Sequence, residues 1–141
     1  MLSENAALAL GLLRAEGALR RRLEAPLGGL HGIGFTDFAI LTELSTVQGG
    51  RLRAIDLSQR LVLSPSGVTR AVLPLEKLGL VQRVPHDRDA RGSYIELTPA
   101  GRERVAQALE TVERTAGEVF AANLTRSDRI ALLGLFERFS Y

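Results

Sequence analysis

Residues 63–98, LSPSGVTRAVLPLEKLGLVQRVPHDRDARGSYIELT, decide the fold of this 141-residue chain. Ser64 and Pro65 follow the leading leucine and are typical of a helix start. The serine hydroxyl caps free amides, and proline at the first helical position has no amide to lose. Apolar residues then recur at helical spacing and predict one buried face: Val68, Val72, Leu75 and Leu78. Two segments with period-two alternation, 80–84 and 93–98, predict a hairpin around the polar loop 85–92.

The part of the chain before this stretch predicts two helices and a short strand. One face of the first helix is apolar, with Leu8, Leu12, Ala15, Leu19 and Leu23. Pro26 and the glycines at 28–29 predict its end, and Thr36 is the expected cap of the second helix. A glycine pair at 49–50 then breaks the chain before a brief strand at 51–53 and a third helix.

The part after the hairpin predicts two more helices. Thr98 and Pro99 repeat the cap-then-proline start, and Thr125 or Ser127 opens the last helix. The long helix has an apolar face made of Val105, Leu109, Val112, Ala116, Val119 and Phe120. The first and last helices carry more apolar surface than a small central domain can cover, so we expect a second copy of the chain to cover them.

The predicted fold class is mainly α with a small antiparallel β-wing (α+β). Residues 1–141 form a single subunit, in which residues 34–98 are a winged helix-turn-helix region. Residues 1–30 and 99–141 are predicted to be dimerisation helices. Two-fold symmetry would place the two recognition helices about 34 Å apart, one turn of B-DNA.

Composition excludes several function classes. The chain has no cysteine, which excludes zinc fingers and thiol chemistry. His31 and His86 lack partners at metal-binding spacing, and no nucleophile, base and acid form a recognisable set, so we expect no enzyme activity, metal or cofactor. No apolar run approaches the roughly 20 residues that cross a membrane and no signal peptide is recognisable, so a cytoplasmic protein without a membrane partner is expected.

Positive charge is concentrated in the centre of the chain. The net charge is +2, but between residues 51 and 91 eight cations face four anions. A basic centre in a near-neutral chain predicts contact with a polyanion. Double-stranded DNA fits best, because the predicted helix carries Ser64, Ser66, Thr69 and Arg70 on its polar side and at its start, and a major groove accepts such a helix.

The remaining candidates for DNA contact are arginines. Arg88 and Arg91 at the tip of the hairpin suit a narrow minor groove, whereas Arg83 and Arg53 are candidates for phosphate contact. A solvated helix face and a merely soluble hairpin tip are the alternative interpretations. Whether Arg70 reads a base or clamps a phosphate stays open.

The order and spacing of several short motifs resemble the MarR family of bacterial transcription regulators. The residues that carry the resemblance are 61–66, 68–70, 75–77, 79–81, Arg83, 89–92, 97–98 and Gly101. The resemblance implies a homodimer with one winged domain per subunit, and regulation of nearby genes that a small aromatic or anionic effector often relieves. It also implies that Asp89 stabilises the wing through an ion pair within the chain.

The chain departs from the family pattern in the second half of the predicted recognition helix. Leu73, Pro74 and Leu78 replace residues that are polar or arginine in the family. Because proline lacks an amide and clashes with the preceding turn, we expect this helix to bend or end near Val72. In the wing, Ala90 stands where a second arginine is common.

Two function hypotheses follow from the sequence. The first is a ligand-responsive transcriptional regulator, a repressor, that binds a pseudo-palindromic operator as a homodimer. The alternative is a winged-helix module that binds a protein partner and no specific DNA, since one fold hosts several functions.

Two further features stay open. Arg20–Arg22 form a solvated face, a phosphate contact or an ion pair in the dimer, and Phe35 and Phe38 belong to the core or to a ligand pocket.

Overall fold

A computed structural model describes residues 1–86 and 89–139, with the backbone alone at residues 86 and 89–91. The elements are α1 (Glu4–Pro26), α2 (Phe35–Thr46), β1 (Arg51–Arg53), α3 (Ala54–Leu61), α4 (Pro65–Lys77), β2 (Val81–His86), β3 (Asp89–Leu97), α5 (Pro99–Asn123) and α6 (Arg126–Phe136). A π-helical turn spans Leu27–His31, and 3₁₀ turns span Gln48–Gly50 and Glu137–Phe139. The sheet is antiparallel with the order β1-β3-β2, which confirms the predicted fold class.

The hydrophobic core lies between α2, α3, α4, the sheet and the first half of α5. Its fully covered large side chains are Leu27, Ile40, Leu41, Leu44, Leu57, Val68, Val72, Leu75, Leu80 and Ile95. The prediction that Leu78 joins this buried face is wrong, because its side chain is 56% exposed. The helix ends at Lys77, and Leu78 already belongs to the turn that leads into β2.

The first two helices differ from prediction at their adjoining ends. The α-helix α1 ends at Pro26, as predicted, but the chain stays helical past the glycines at 28–29 in the π-helical turn until Gly32 takes a left-handed conformation with φ 65°. The cap of α2 is Gly34 and not Thr36. Asp37 explains this choice, because its carboxylate accepts a hydrogen bond from the Gly34 amide at 2.9 Å.

Pro74 does not end α4. The helix continues to Lys77, so the expected end near Val72 is wrong, and the alternative, a bend there, stays a prediction. Pro74 lies on the exposed side of the helix, whereas Val72 and Leu75 on either side of it are fully buried. Packing of this buried face outweighs the one intrahelical hydrogen bond that proline cannot donate.

The hairpin is longer than its sequence pattern predicts. Pro85 pairs with Ser93, and His86 with Asp89 after an irregularity in register, so most of the predicted loop 85–92 is strand. Pro85 is tolerated because β2 is an edge strand, where a missing amide costs no ladder hydrogen bond on the open side.

The last two helices begin as predicted but differ in what they bury. Thr98 caps α5, and Thr125, rather than Ser127, caps α6. The buried face of α5 is Gly101, Val105, Ala108 and Thr111, whereas Leu109, predicted on that face, is 42% exposed. No residue of α6 is buried. None of the described helices has both the length and the apolar character needed to cross a membrane.

Candidate nucleic-acid interface

The start of α4 is fixed by a side-chain cap. Ser64 Oγ accepts a hydrogen bond from the Gly67 amide at 3.0 Å and lies 3.2 Å from Ser66 Oγ. Pro65 occupies the first helical position. The predicted cap-then-proline start is therefore confirmed, and it gives α4 a rigid, exposed N-terminal turn.

The two sides of α4 are sharply different. Val68 and Val72 are fully buried, whereas Ser66, Thr69 and Arg70 are exposed. Thr69 Oγ1 donates to the Pro65 carbonyl at 3.1 Å, so the oxygen is left to accept from a partner. The core thus holds one face of α4 and presents the other to solvent with two hydroxyls and a guanidinium.

The turn between α3 and α4 is strained. Val62 closes α3 in a left-handed conformation with φ 55°, the one such non-glycine residue that the structure describes, and its side chain is 88% exposed. The amides of Val62 and Leu63 both donate to the Ser58 carbonyl. These bonds hold a β-branched residue in a region that costs it roughly 1–2 kcal/mol.

The turn between α4 and β2 has the same handedness without the strain, because glycine occupies it. Gly79 has φ 74°, and its amide donates to the Glu76 carbonyl at 3.0 Å. The Leu80 amide donates to the Leu75 carbonyl at 3.0 Å, and both leucine side chains are buried. This pattern is a Schellman motif, which fixes the direction in which β2 leaves the helix.

Arg83 is engaged within the chain. Its Nε donates to Oε1 of Glu76, in the last turn of α4, at 2.7 Å. The side chains are 38% and 28% exposed, respectively. No sequence pattern predicts this pair, because its members lie seven positions apart on either side of a turn. The phosphate contact that was predicted for Arg83 stays a prediction, now for a guanidinium that already has an anionic partner.

The other predicted arginines occupy different positions on the hairpin and β1. Arg88 lies outside the described residues. Arg91 and Asp89 have their backbone in β3, but their side chains lie outside the described part, so both roles stay predictions. Arg53 Cζ lies 5.9 Å from the ring centroid of Tyr94, which is its partner in the β1–β3 register.

Arg51 is the second arginine of β1, counted among the central cations but given no role of its own in the sequence-based predictions. Its Cζ lies 4.8 Å from the centroid of the Tyr94 ring, on the same strand as Arg53. The alternation Arg51-Leu52-Arg53 was the available signal, because period-two spacing puts both arginines on one face of β1.

The hairpin base is joined closely to α5. Thr98 Oγ1 donates to the Gly79 carbonyl at 2.6 Å and accepts from the Gly101 amide at 3.0 Å. At Gly101 the helix approaches the chain so closely that a Cβ atom would lie 2.0 Å from the Leu80 carbonyl oxygen. The end of α4, the start of β2 and the start of α5 therefore form one rigid junction.

A pocket of about 390 Å³ lies between α1, α2 and the α3–α4 turn. Its lining is Arg20, Phe35, Thr36, Ala39, Leu61, Val62 and Leu63. Arg20 Cζ lies 4.8 Å from the Phe35 ring centroid, and its Nε donates to Glu16 at 2.8 Å. Phe38 is buried in the core, so only one of the two phenylalanines lines the pocket.

His31 has a structural place in the fold. Its Nε2 lies 2.6 Å from Oγ1 of the buried Thr111, and Arg104 donates to its carbonyl at 2.8 Å. These contacts tie the π-helical turn to α5. Throughout residues 1–85 and 92–139, no three His, Cys, Asp or Glu side chains are grouped as a metal site.

Comparison with known proteins agrees with this geometry. Residues 31–92, from the end of the π-helical turn into β3, match the model of the MarR family. Over this winged region the chain is similar to the MarR family. The curated relatives that it matches are HTH-type transcriptional regulators.

One relative and two solved structures illustrate the similarity. The HTH-type transcriptional regulator PrsX of Escherichia coli is 34% identical over 73 residues, which cover 52% of this chain and 44% of PrsX, less than half of that relative's length. Sco3205, a MarR family regulator from Streptomyces coelicolor solved with DNA, superposes with a TM-score of 0.85 at 23% identity, covering 99% of this chain and 88% of that one. NadR solved with 4-hydroxyphenylacetate gives a TM-score of 0.80 at 24% identity, covering 99% and 96%.

Proposed function

We propose that this chain is a cytoplasmic, homodimeric transcription repressor of the MarR family that binds a pseudo-palindromic operator and releases it when a small aromatic or anionic effector binds. The observation that carries the proposal is the division of α4 into a buried face and an exposed face with Ser66, Thr69 and Arg70. A helix held in this way presents hydrogen-bonding side chains at the depth of a major groove.

The hairpin supplies the second proposed contact with DNA. It leaves the end of α4 through the Schellman turn at Gly79, so the two elements lie side by side in one domain. Arg88 and Arg91 belong to its far end in the sequence. Insertion of these arginines into the minor groove would add affinity where that groove is narrow.

The proposed dimer uses the terminal helices. Large apolar side chains are exposed on α1 and α6, including Leu8, Leu13, Ile130, Leu133 and Phe136. Large exposed apolar side chains on a helix favour burial at an interface, and the same helices of a second copy would cover them. Replacing Leu133 by Asp should shift the chain toward monomer in sedimentation velocity, whereas Arg126→Ala on the same helix should not.

The proposed effector site is the pocket beside the α3–α4 turn. It offers a guanidinium, an aromatic ring and a threonine hydroxyl, which together suit a small aromatic anion such as the 4-hydroxyphenylacetate bound by NadR. A ligand there would touch Val62 and Leu63, immediately before the cap of α4. Binding that favours one orientation of α4 would shift the population away from the DNA-competent form.

The DNA-binding proposal is tested by selection from sheared genomic DNA of the host at near-physiological salt. Wild type should enrich fragments that share an inverted repeat. Arg70→Ala should lose preference at one base pair per half-site, by roughly 1–3 kcal/mol if Arg70 reads a base. Arg126→Ala, an exposed arginine on α6, is the matched control and should enrich the same fragments as wild type.

Other outcomes of the selection would contradict the proposal. Equal enrichment by wild type and Arg70→Ala would remove Arg70 from the interface. Recovery of nothing beyond salt-sensitive background, with and without 4-hydroxyphenylacetate, would favour the protein-binding module.

The effector proposal is tested by calorimetric titration with 4-hydroxyphenylacetate and benzoate. Arg20→Gln should weaken binding, because it removes the one cation of the pocket lining in the described residues. Arg22→Gln removes an exposed cation of the same helix that does not line the pocket, and should bind like wild type. Equal affinity of the two variants would place the effector elsewhere.

A further inference from the structure

We propose that the ion pair between Glu76 and Arg83 is a positioning device, which sets the angle of the β2–β3 hairpin relative to α4 so that both elements contact one DNA duplex together. The inference rests on the proposed function and deepens it. It gives Arg83 a role different from the phosphate contact expected from the sequence, and it makes Glu76, an acidic residue, necessary for binding a polyanion.

The position of the pair supports this role. Glu76 lies in the last turn of α4, and Arg83 is the third residue of β2. The 2.7 Å contact therefore joins the recognition helix directly to the hairpin. Both side chains are partly shielded from water, at 28% and 38% exposure, so the pair is less screened than a fully exposed one.

The backbone turn fixes where β2 leaves α4, and the ion pair adds a side-chain attachment farther along the strand. The Schellman hydrogen bonds end at Leu80, and from Val81 onward β2 is an edge strand of the sheet. On the other side of the hairpin, β1 holds β3 through the register of Arg53 with Tyr94. The ion pair supplies a matching attachment on the β2 side, and two attachments on opposite edges prevent the hairpin from rotating about its base.

The two roles of Arg83 predict opposite effects of removing Glu76. If Arg83 contacts phosphate, Glu76→Gln frees its guanidinium and removes a negative charge near DNA, so affinity rises. If the pair positions the hairpin, the same substitution loosens the hairpin and affinity falls. The sign of one measurement therefore separates the two roles.

The experiment measures operator affinity of the full-length chain as a function of salt, for wild type, Glu76→Gln, Arg83→Gln, the double variant, and the exchange Glu76→Arg with Arg83→Glu. Each single variant should weaken binding about two- to fivefold, which is the range of a partly exposed ion pair. The double variant should bind no more weakly than either single one, and the exchange should recover affinity. On an operator trimmed to the bases beneath α4, the singles should match wild type, because the hairpin no longer contributes.

Glu43→Gln is the matched control. It breaks the pair between Glu43 and Arg60, which has similar exposure at 31% and 46% but joins α2 to α3, and it changes the net charge equally. This variant should bind within about twofold of wild type. Thermal unfolding of every variant, followed by circular dichroism, separates a loosened hairpin from a lost fold.

The results that overturn the inference are distinct. Glu76→Gln binding as tightly as wild type or more tightly, together with a salt slope about one unit smaller in Arg83→Gln, would assign Arg83 to phosphate contact. Equal losses on the full and the trimmed operator would mean that the pair acts on α4 and not on the hairpin. A wild type that binds no DNA would overturn the proposed function itself and this inference with it.

Discussion

The winged region and the terminal helices differ in how they satisfy their apolar residues. In α2, Leu41 is completely covered by the rest of the chain, whereas in α6 Leu133 is 66% exposed. Both helices have a recurring apolar pattern, so the pattern alone does not tell which residues the chain itself covers. The winged region and the first half of α5 share one core, whereas the apolar residues of α6 stay exposed and would be covered by a second copy in the proposed dimer.

The largest expected effect tests this difference directly with two leucines. Leu41→Ala removes a fully buried side chain and should lower the free energy of unfolding by about 3–4 kcal/mol at every protein concentration. Leu133→Ala should cost little in a dilute, monomeric sample and progressively more as dimer forms. Chemical unfolding over a hundredfold range of protein concentration measures both. Identical concentration dependence of the two losses would remove the distinction between the regions.

The next effect concerns α5, the helix that passes from one region to the other. Gly101→Ala should destabilise the chain by about 2–3 kcal/mol, because its Cβ would collide with the Leu80 carbonyl at 2.0 Å. Gly117→Ala, later on the same helix, meets no atom within 4 Å and should stabilise the helix by up to about 1 kcal/mol. Thermal unfolding of the two variants compares them, and equal shifts would disprove the tight junction.

A smaller effect is expected at the strained turn of the winged region. Val62→Gly relieves the left-handed conformation of a β-branched residue but gives the unfolded chain more freedom. The balance should stabilise the fold by about 0.5–1 kcal/mol in chemical unfolding. Val47→Gly, at a residue with ordinary φ of −91°, is the control and should not stabilise it.

The smallest effect belongs to the terminal region, where α6 depends on capping because it buries nothing. The pKa of Asp128 lies below its ordinary 3.8. The larger cause is the Thr125 amide, which donates to the Asp128 carboxylate at 2.8 Å, and the smaller cause is the hydrogen bond with the Thr125 hydroxyl. A lowered pKa in the folded state means that the ionised carboxylate stabilises the helix at neutral pH, and that this contribution is lost as the pH falls below 3.8.

Asp128→Asn tests this sign. Its thermal midpoint should lie slightly below that of wild type at pH 6, and the difference should vanish in acid. Asp56→Asn, in the first turn of α3, is the matched carboxylate control. A difference that grows on acidification would contradict the argument.

The sequence predicted those parts of the molecule in which local chemistry decides the structure. The cap at Ser64, the strand at Arg51–Arg53 and the cap at Thr98 were all confirmed, since each depends on neighbouring residues. The expected end of α4 near Val72 was wrong because burial of Leu75 outweighs the cost of a proline. Local rules do not contain that tertiary term.

The candidate interface was predictable in part for the same reason. Helical spacing placed Ser66, Thr69 and Arg70 on one exposed face, as the structure has them. The pairing of Arg83 with Glu76 was missed, because it depends on how the chain turns at Gly79. The roles of Arg88 and Arg91 rest on the sequence and the family, as before.

Because Gly101 and Leu80 are in close contact, α5 can convert a small tilt at its far end into a large displacement of α4. The 25 residues of α5 form a helix about 37 Å long, at about 1.5 Å per residue. In the proposed dimer its far end is held by the partner, and its near end is rigidly joined to the recognition helix. A tilt of about 10° around the far end would displace α4 by about 6 Å, which is nearly two base-pair steps of about 3.4 Å each. A tilt of this size between the proposed subunits is thus enough to move the recognition helix out of register with its operator.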